Sequence, residues 1–235
     1  MRLHRFYVSQ PLGEDVVIKD VSVINQWSKV FRYKEGDFVI LFNGDSSEYY
    51  FCIRSLKNKE CTLKLEKTTP SFIPTKKINL YLSVIKKDNF ELVVQKATEL
   101  GVHAIIPILG DHSEKKGLNE ERLRKIAIEA SEQCGRGDIP HLYPITTLKE
   151  ALESNLSEAN SLVLQMGGLS FSDKKLEDIL KNSSAINVFI GPEGGWSENE
   201  IETFKNKGLT FVSLGETVLR AETAAITACA LSLLL

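Results

Sequence analysis

One segment of this 235-residue chain, between positions 186 and 201, constrains the fold more than any other. A β-branched apolar run ends at Ile190 and fits a buried strand. The loop Gly191–Gly195 follows, and its backbone can approach a ligand closely because three of its five residues lack a Cβ. Ser197 and Glu200 have the spacing of a capping box, with the apolar residues of a hydrophobic staple on either side, so a helix is predicted to start there. A strand, a glycine-rich turn and a capped helix form the ligand-holding corner of α/β folds.

The residues of this loop argue against two common nucleotide-binding motifs. Gly191 to Gly195 does not have the spacing G-x-G-x-x-G, and the chain contains no Gly-Lys-Ser/Thr sequence. The acidic side chain of Glu193 would repel a phosphate, which favours a ligand without a pyrophosphate. The alternative is a sharp turn between strand and helix in which the glycines only relieve backbone strain.

A second segment, close to the C-terminus, favours the ligand-binding interpretation of this loop over a simple turn. Leu209–Leu214 is predicted as another strand, and the chain from Glu222 to Leu235 is a strong helix former. Between them the sequence contains Leu-Gly-x-x-x-Leu-Arg-x-Glu-Thr-Ala. Together with Gly-Pro-Glu-Gly-Gly at 191–195, this resembles the signature of the SPOUT (trefoil-knotted) RNA methyltransferases. Within them the chain resembles the family that methylates N3 of a uridine in the 16S ribosomal RNA of the small subunit.

Three further blocks resemble the same family, in the same order along the chain. Lys96–Val102 reads K-A-T-E-L-G-V, Glu129–Pro140 reads E-A-x-E-Q-x-x-R-x-x-x-P, and His4–Val8 is similar to an R-F-F-V opening. The resemblance therefore covers nearly the whole chain.

The resemblance implies an α/β fold with two domains: a small PUA-like β-barrel that binds RNA, and a trefoil-knot methyltransferase domain. It implies a homodimer with each active site near the interface, and three loops that hold S-adenosylmethionine in a bent conformation. The first loop would follow a strand at 161–165, the second is 191–195, and the third is 214–223. The implied cofactor-binding residues are Gln165, Met166, Gly167, Gly191, Pro192, Glu193, Gly194, Gly195, Leu214, Gly215, Val218, Leu219 and Thr223.

The chemistry of N3 methylation assigns roles to two residues of the third loop. The imide proton of uridine is weakly acidic, so an enzyme must assist its loss or stabilise the charge that develops on the flanking carbonyl groups. By resemblance, Arg220 supplies the electrostatic stabilisation. Glu222 is either a general base or the acid that holds Arg220, and it lies where a helix N-terminus favours an anion. Helix capping is the alternative role for Glu222 and Thr223.

A proline-containing segment at 70–75 predicts a boundary between domains 1–72 and 73–235. Upstream, alternating runs at Phe38–Phe42, Tyr49–Ile53 and Cys61–Leu65 are separated by turn residues, which indicates a β-barrel. Downstream the pattern alternates between strand and helix. It predicts strands at Leu80–Ile85 and Ala104–Leu109, a helix capped by Asp88 and Glu91 and ended by Gly101, a helix over about 121–134, and another capped by Thr147 and Glu150.

The charge distribution is consistent with an RNA-binding first domain. Residues 1–76 carry 12 basic and 9 acidic side chains, whereas the rest carries 17 and 22. The candidate phosphate contacts are Arg2, Arg5, Lys29, Arg32 and Lys34. Arg136 is expected to reach the substrate across the dimer, its alternative being a salt bridge with Glu129 and Glu132. Three sites depart from the family pattern: Asp111-His112-Ser113 replaces an Arg-Ser pair, Asn25-Gln26 replaces a histidine, and Phe31 replaces a leucine.

Composition indicates a cytoplasmic protein without a metal site or membrane segment. The cysteines (Cys52, Cys61, Cys134 and Cys229) lack C-x-x-C spacing, which favours reduced thiols. The histidines are scattered, no signal peptide is predicted, and the apolar run Ala224–Leu235 is too short to span a bilayer, so a buried terminal helix is predicted.

Two other functions remain as alternatives. One is a related knotted enzyme acting on another RNA position, against which the K-A-T-E-L-G-V and E-A-x-E-Q blocks argue. The other is an RNA-binding assembly protein without catalysis, against which the two intact loop motifs argue.

Overall fold

A computed structural model describes residues 3–114, 117–153 and 159–235 of the chain. The chain divides into two compact units. The first comprises Met1–Ile73 and Ser131–Ile139, and the second comprises Pro74–Ala130 and Pro140–Leu235. The sequence-based boundary at 72/73 takes no account of Ser131–Ile139, whose membership of the first unit has no signal in the sequence.

The first unit is built on five strands that pack around a buried tryptophan. The strands are β1 (Arg5–Tyr7), β2 (Asp15–Ile18), β3 (Phe38–Phe42), β4 (Ser47–Lys57) and β5 (Glu60–Pro70); helix α1 (Val21–Asn25) and a π-helical turn (Gln26–Phe31) connect β2 to β3. The order in the sheet is β1-β3-β4-β5-β2, with β1 and β3 parallel and the other pairs antiparallel. Alternate side chains of all five strands pack in one core with Trp27, as period-2 patterning requires. The three strands predicted here are confirmed, and Phe6 rather than Tyr7 is the core residue of β1.

The second unit contains a parallel sheet with helices between its strands. Its strands are β6 (Lys77–Ser83), β7 (Ala104–Leu109), β8 (His141–Leu142), β9 (Thr146–Thr147), β10 (Asn160–Ser170), β11 (Ala185–Ile190) and β12 (Thr210–Ser213). Its helices are α2 (Lys87–Leu100), α3 (Glu120–Cys134), α4 (Leu148–Glu153), α5 (Lys174–Asn182), α6 (Glu198–Asn206) and α7 (Ala221–Leu234), although the last residues of α3 belong to the first unit. The sheet order is β12-β10-β11-β6-β7-β8, with β9 also paired to β7, and every pairing is parallel.

The central strands read as continuous apolar runs because helices cover a parallel sheet on both faces. Ile186–Ile190 in β11 is entirely buried. Phe189 stacks on Tyr81 of β6 at 4.3 Å between ring centroids and meets Phe204 of α6 at 5.6 Å. Helix α7 is mostly apolar and buries most of its first three turns, which confirms the prediction of a buried terminal helix. Within the described ranges, no helix has the length and apolar character needed to cross a membrane.

The predicted helix signals in this unit are confirmed with one exception. Gly101 ends α2 in the left-handed region at φ 102°, and Thr147 and Glu150 exchange capping hydrogen bonds at the start of α4. The prediction that Asp88 caps α2 is wrong. The helix begins at Lys87, one residue earlier, with Lys86 as an N-cap whose side chain makes no capping bond.

Candidate functional site

A cavity of about 320 Å³ lies beside the carboxyl-terminal parts of three neighbouring strands, β12, β10 and β11. This is where open parallel sheets bind ligands. The lining residues come from three chain segments and the start of α7: Leu164, Gln165, Met166, Ile190–Trp196, Ser213–Gly215, Thr217–Leu219, Ala221 and Ala224.

The first segment is a bulge inside β10, not the loop after a strand that the sequence predicted. Leu164 and Leu169 both align with Val212 of β12, so residues 165–168 have no aligned partner in that strand, and the pairing continues at Leu169 and Ser170. Gly168 makes this possible, because a Cβ there would lie 2.5 Å from the backbone nitrogen of Val212. Gln165 and Met166 line the cavity, whereas Gly167 does not.

The second segment, Gly191–Gly195, is held in place by Trp196. The indole Nε1 donates to the carbonyl oxygen of Leu164 in β10 at 3.2 Å. A Cβ on Gly191 would lie 3.1 Å from the same indole, so glycine allows the ring to pack under the loop. The amide of Gly195 donates to the carbonyl of Pro192, and Gly195 itself adopts φ 72°. Here the glycines serve both loop packing and access to the cavity.

Four hydrogen bonds form what we call the loop latch: three join Gly195 and the start of α6 to the turn after β7, and the fourth lies within the start of α6. Both oxygens of the buried Glu200 accept backbone N–H groups, from Asp111 at 3.0 Å and from Ser197 at 2.7 Å. The Ser197 hydroxyl donates to Asp111 Oδ2 at 2.5 Å, and His112 Nδ1 donates to the carbonyl oxygen of Gly195 at 3.0 Å. The capping box of Ser197 and Glu200 is therefore confirmed, and it also holds a second loop. His112, which departs from the family pattern, has a defined contact in it.

The third segment, between β12 and α7, presents apolar side chains to the cavity. Leu214, Val218 and Leu219 line it, and Val218 is 85% exposed, so its side chain is free to cover a bound ring. Gly215 hydrogen-bonds through both backbone groups to the Ser213 hydroxyl. Thr223 is exposed on the first turn of α7 and does not line the cavity.

Several lining residues were missed by sequence prediction: Leu164, Ile190, Trp196, Ser213, Thr217, Ala221 and Ala224. Most of them directly flank the motifs. Ala221 and Ala224 are three residues apart on α7 and therefore share a helix face, a spacing that would have indicated them.

The two candidate catalytic residues lie at the start of α7, next to the lining residues but outside the lining itself. Arg220 is the N-cap and is exposed; its Nη1 lies 4.0 Å from Glu222 Oε1. The Glu222 side chain is only 10% exposed, and its Oε2 has no hydrogen-bond partner among the described residues. The side chain of Arg220 makes no capping hydrogen bond, and Glu222 is the acidic residue of the first turn, so a role for Glu222 at the helix N-terminus stays an alternative. A buried carboxylate oxygen without a donor is costly, which suggests that a donor arrives with a ligand.

The candidate RNA contacts fall into two groups. Lys29, Arg32 and Lys34 are exposed. Arg5 is largely buried: it pairs with Glu48 at 2.7 Å and donates to two carbonyl oxygens of the segment Ser131–Ile139.

Arg136 is likewise buried, held by both oxygens of Asp138 at 2.8 and 2.9 Å. Arg5 and Arg136 thus form largely buried ion pairs in the first unit, which argues against the prediction that Arg5 contacts phosphate. That Arg136 reaches the substrate across a dimer stays a prediction. Arg2 lies outside the described residues.

Two further observations concern chemistry elsewhere in the chain. All four cysteines are free thiols. Among the described residues, no group of three or more His, Cys, Asp or Glu side chains has the arrangement of a metal site.

A parallel sheet whose carboxyl ends hold a cavity between glycine-bearing loops defines the second unit as a ligand-binding α/β domain of the enzyme type. Residues 73–233 match the RNA methyltransferase domain family, and residues 29–66 match the RNA methyltransferase PUA domain. The chain therefore belongs to the RNA methyltransferase family.

Named relatives are similar in sequence to most or almost all of this chain. Ribosomal RNA small subunit methyltransferase E of Rickettsia conorii is 32% identical over 98% of this chain and 95% of its own length. The protein of the same name from Bacillus subtilis is 32% identical over 83% of this chain and 80% of its own.

Solved structures are similar as well. The Neisseria gonorrhoeae ribosomal RNA small subunit methyltransferase E, bound to S-adenosylmethionine, has a TM-score of 0.87 and 29% identity over 97% of this chain and 96% of its own. A methyltransferase from Legionella pneumophila, also in complex with S-adenosylmethionine, has a TM-score of 0.88 and 29% identity over 99% and 97%.

Proposed function

We propose that this protein transfers a methyl group from S-adenosylmethionine to ribosomal RNA of the small subunit, and that the acceptor is N3 of a uridine. The observation that carries the proposal is the cavity formed by the three loop segments, in a chain that matches named ribosomal RNA small subunit methyltransferases over most of their length.

The residues of the cavity fit S-adenosylmethionine. The volume of about 320 Å³ lies in the range of small-molecule sites, roughly 300–1,000 Å³. Among the lining residues there is no lysine or arginine to hold a phosphate, and the single charged residue is Glu193. An acid at the mouth suits a ligand that carries a sulfonium and an ammonium group. Val218, Leu219 and Leu214 supply apolar cover for an adenine ring.

When bound, S-adenosylmethionine supplies a methyl group activated by its sulfonium. The chain must then align N3 with that methyl group, assist loss of the N3 proton and stabilise the negative charge that develops on the imide. Arg220 is exposed and permanently charged, so it can reach the carbonyl oxygens of a uracil ring and stabilise that charge. Glu222 has a buried oxygen without a donor. It either accepts the N3 proton or fixes the guanidinium of Arg220.

We further propose a cytoplasmic homodimer. Helix α7 is mostly apolar, yet Leu234 is 82% exposed and Leu231, Leu233 and Leu235 are only partly buried, which is consistent with a second subunit against its end. The four free thiols agree with a reducing compartment. The threading of the last strands and α7 into a knot remains part of this proposal.

The test is methyl transfer from labelled S-adenosylmethionine to small ribosomal subunits that lack the modification, followed by nucleoside mass spectrometry. Wild-type protein should produce 3-methyluridine and Arg220→Ala should not. A different methylated nucleoside would contradict the choice of N3 and favour a related enzyme. Cofactor binding by calorimetry without any methylated nucleoside would contradict the proposed substrate, and absence of both would favour an assembly protein.

A further inference from the structure

Three aromatic rings form a connected cluster at the surface of the first unit. The exposed imidazole of His4 lies 4.3 Å from the ring of Phe31, and Phe31 stacks on Tyr33 at 5.6 Å with only 15° between the ring planes. His4 Nδ1 and the Tyr33 hydroxyl share a hydrogen bond of 2.7 Å. Phe6 packs beneath, edge-on to Phe31 and Tyr33 at 5.4 and 6.5 Å. We call His4, Phe31 and Tyr33 the aromatic platform.

The platform is held by packing from below and by one hydrogen bond. Phe6 is anchored in the core and supports two of the rings from below, and the hydrogen bond fixes the third ring to Tyr33. Burial, followed by the charge of Asp37, raises the pKa of the Tyr33 phenol above its ordinary value, so the neutral hydroxyl persists over a wider pH range. A preordered ring loses little entropy when a partner stacks on it.

Three cations alternate with these rings along the chain. Lys29, Arg32 and Lys34 are exposed, and their side chains make no ion pair with any residue that the structure describes. The same stretch carries Glu35 and Asp37. The carboxylate of Asp37 accepts the backbone N–H of Lys34 at 2.7 Å, which closes the turn.

Arg32 adopts a backbone conformation that is unfavourable for residues with a side chain. Its φ is 57°, in the left-handed region, where it ends the π-helical turn with its N–H bonded to the carbonyl of Trp27. Glycine is the residue that occupies such positions without steric cost. A long cationic side chain at a position suited to glycine is a local cost that the fold does not require, and a functional contact would explain it.

We propose that the aromatic platform stacks an unpaired base of the RNA substrate while Lys29, Arg32 and Lys34 hold the phosphates on either side. Proteins that bind single-stranded RNA combine aromatic rings for bases with cations for the backbone. The region matched as an RNA methyltransferase PUA domain, 29–66, contains every residue of this surface except His4. This inference rests on the proposed RNA substrate and names the contact that the first unit makes with it.

The test uses the full-length protein and a fluorescent eight-nucleotide oligouridylate, with binding followed by anisotropy. His4→Ala should weaken binding roughly tenfold, which corresponds to about 1.4 kcal/mol. The matched control is Tyr143→Ala, which removes an exposed ring from the second unit and should leave the affinity unchanged. A series of oligonucleotides is then used, each with one abasic position at a different place. Wild-type protein should bind most weakly the one that lacks the stacked base, whereas His4→Ala should bind all of them equally. Equal binding of intact and abasic RNA by wild-type protein would overturn the platform.

The cations are tested by salt dependence and by one substitution that separates folding from binding. Lys29→Ala with Lys34→Ala should reduce the slope of log affinity against log salt by about 1.4, since each phosphate contact on a single strand contributes about 0.7. Arg32→Gly should raise the unfolding midpoint because it relieves the backbone, and should lower RNA affinity at the same time. Unchanged affinity in Arg32→Gly would remove Arg32 from the surface.

Methyl transfer to small subunits distinguishes failure of this inference from failure of the proposed function. If the wild type methylates and His4→Ala binds RNA normally, only the platform is refuted. If the wild type methylates no RNA, the proposed function is refuted, whatever the oligonucleotide result.

Discussion

Replacing Glu200 by alanine should destabilise the second unit by about 3 kcal/mol. The buried carboxylate accepts two backbone N–H groups, from Asp111 at 3.0 Å and from Ser197 at 2.7 Å, and alanine leaves both without an acceptor. Hydrogen bonds to a charged group contribute about 1.5–3 kcal/mol each, and the lower value applies because both contacts are only partly buried. Glu200→Gln keeps one acceptor oxygen, so we expect about half of that loss.

The assay is urea-induced unfolding of the full-length protein, followed by circular dichroism and by tryptophan fluorescence. The chain has two tryptophans, Trp27 in the first unit and Trp196 beside the loop latch, so agreement of the two signals tests whether unfolding is two-state. Glu202→Ala is the control, because it removes an exposed acid from the same helix. If Glu200→Ala and Glu202→Ala have equal unfolding midpoints, the latch does not stabilise the loop and the reasoning is refuted.

Four other predictions concern Gly168, Val218, Cys229 and Cys134. Gly168→Ala should lose several kcal/mol of stability because its Cβ would overlap the backbone of β12, whereas Gly13→Ala, with nothing within 4 Å, should be nearly neutral; equal thermal midpoints would contradict this. Val218→Asp should weaken cofactor binding in calorimetry without lowering the thermal midpoint, because the side chain is 85% exposed. Burial raises the pKa of the Cys229 thiol to about 12. The thiol form is thus favoured in the folded state, and its contribution is complete below the unfolded pKa of about 8.5 and is lost as the pH rises towards 12. The contribution of Cys229 should fall by up to about 1.4 kcal/mol per pH unit in that window. Burial raises the pKa of Cys61 to about 12 as well, so Cys229→Ala should reduce the total slope without abolishing it. In the native protein a thiol reagent should modify the exposed Cys134 first. The buried Cys229 should react much more slowly or not at all.

The capped start of α6 could be predicted from sequence because its determinants are local. Ser197 and Glu200 satisfy each other's backbone within one turn, so their spacing alone specifies the contact. The glycine loop before them could be predicted for the same reason, because its own residues specify it. The resemblance to a known family then indicated its ligand, which the glycine spacing could only narrow.

The first cofactor segment was predicted as a loop for a physical reason. Gln165–Gly168 has the composition of a turn, and nothing local indicates that the strand resumes after it. The resumption depends on Val212, more than forty residues away, which aligns with the chain on both sides of the bulge. Gly168 is the one residue whose role follows from that contact.

Arg5 was predicted to contact RNA by its charge in a predicted RNA-binding domain, and Arg136 by its place in the E-A-x-E-Q-x-x-R block that resembles the family. Their partners, Glu48 and Asp138, are acidic residues that no sequence pattern singles out. Burial is a property of the assembled unit, and so is the ion pair that compensates for it.

The nine residues Ser131–Ile139 have a consequence for synthesis on the ribosome. They complete the first unit: Arg5 donates to the carbonyls of Ser131 and Arg136, the Tyr7 amide donates to Glu132, and Phe72 forms a bridge with Arg136. After Ile73 the ribosome must still add 66 residues before Ile139 is made. At about 5–20 residues per second, that takes roughly 3–13 s. The N-terminal unit therefore waits, with the contacts of Arg5 and of the edge of its sheet unfinished, until Ile139 has been translated.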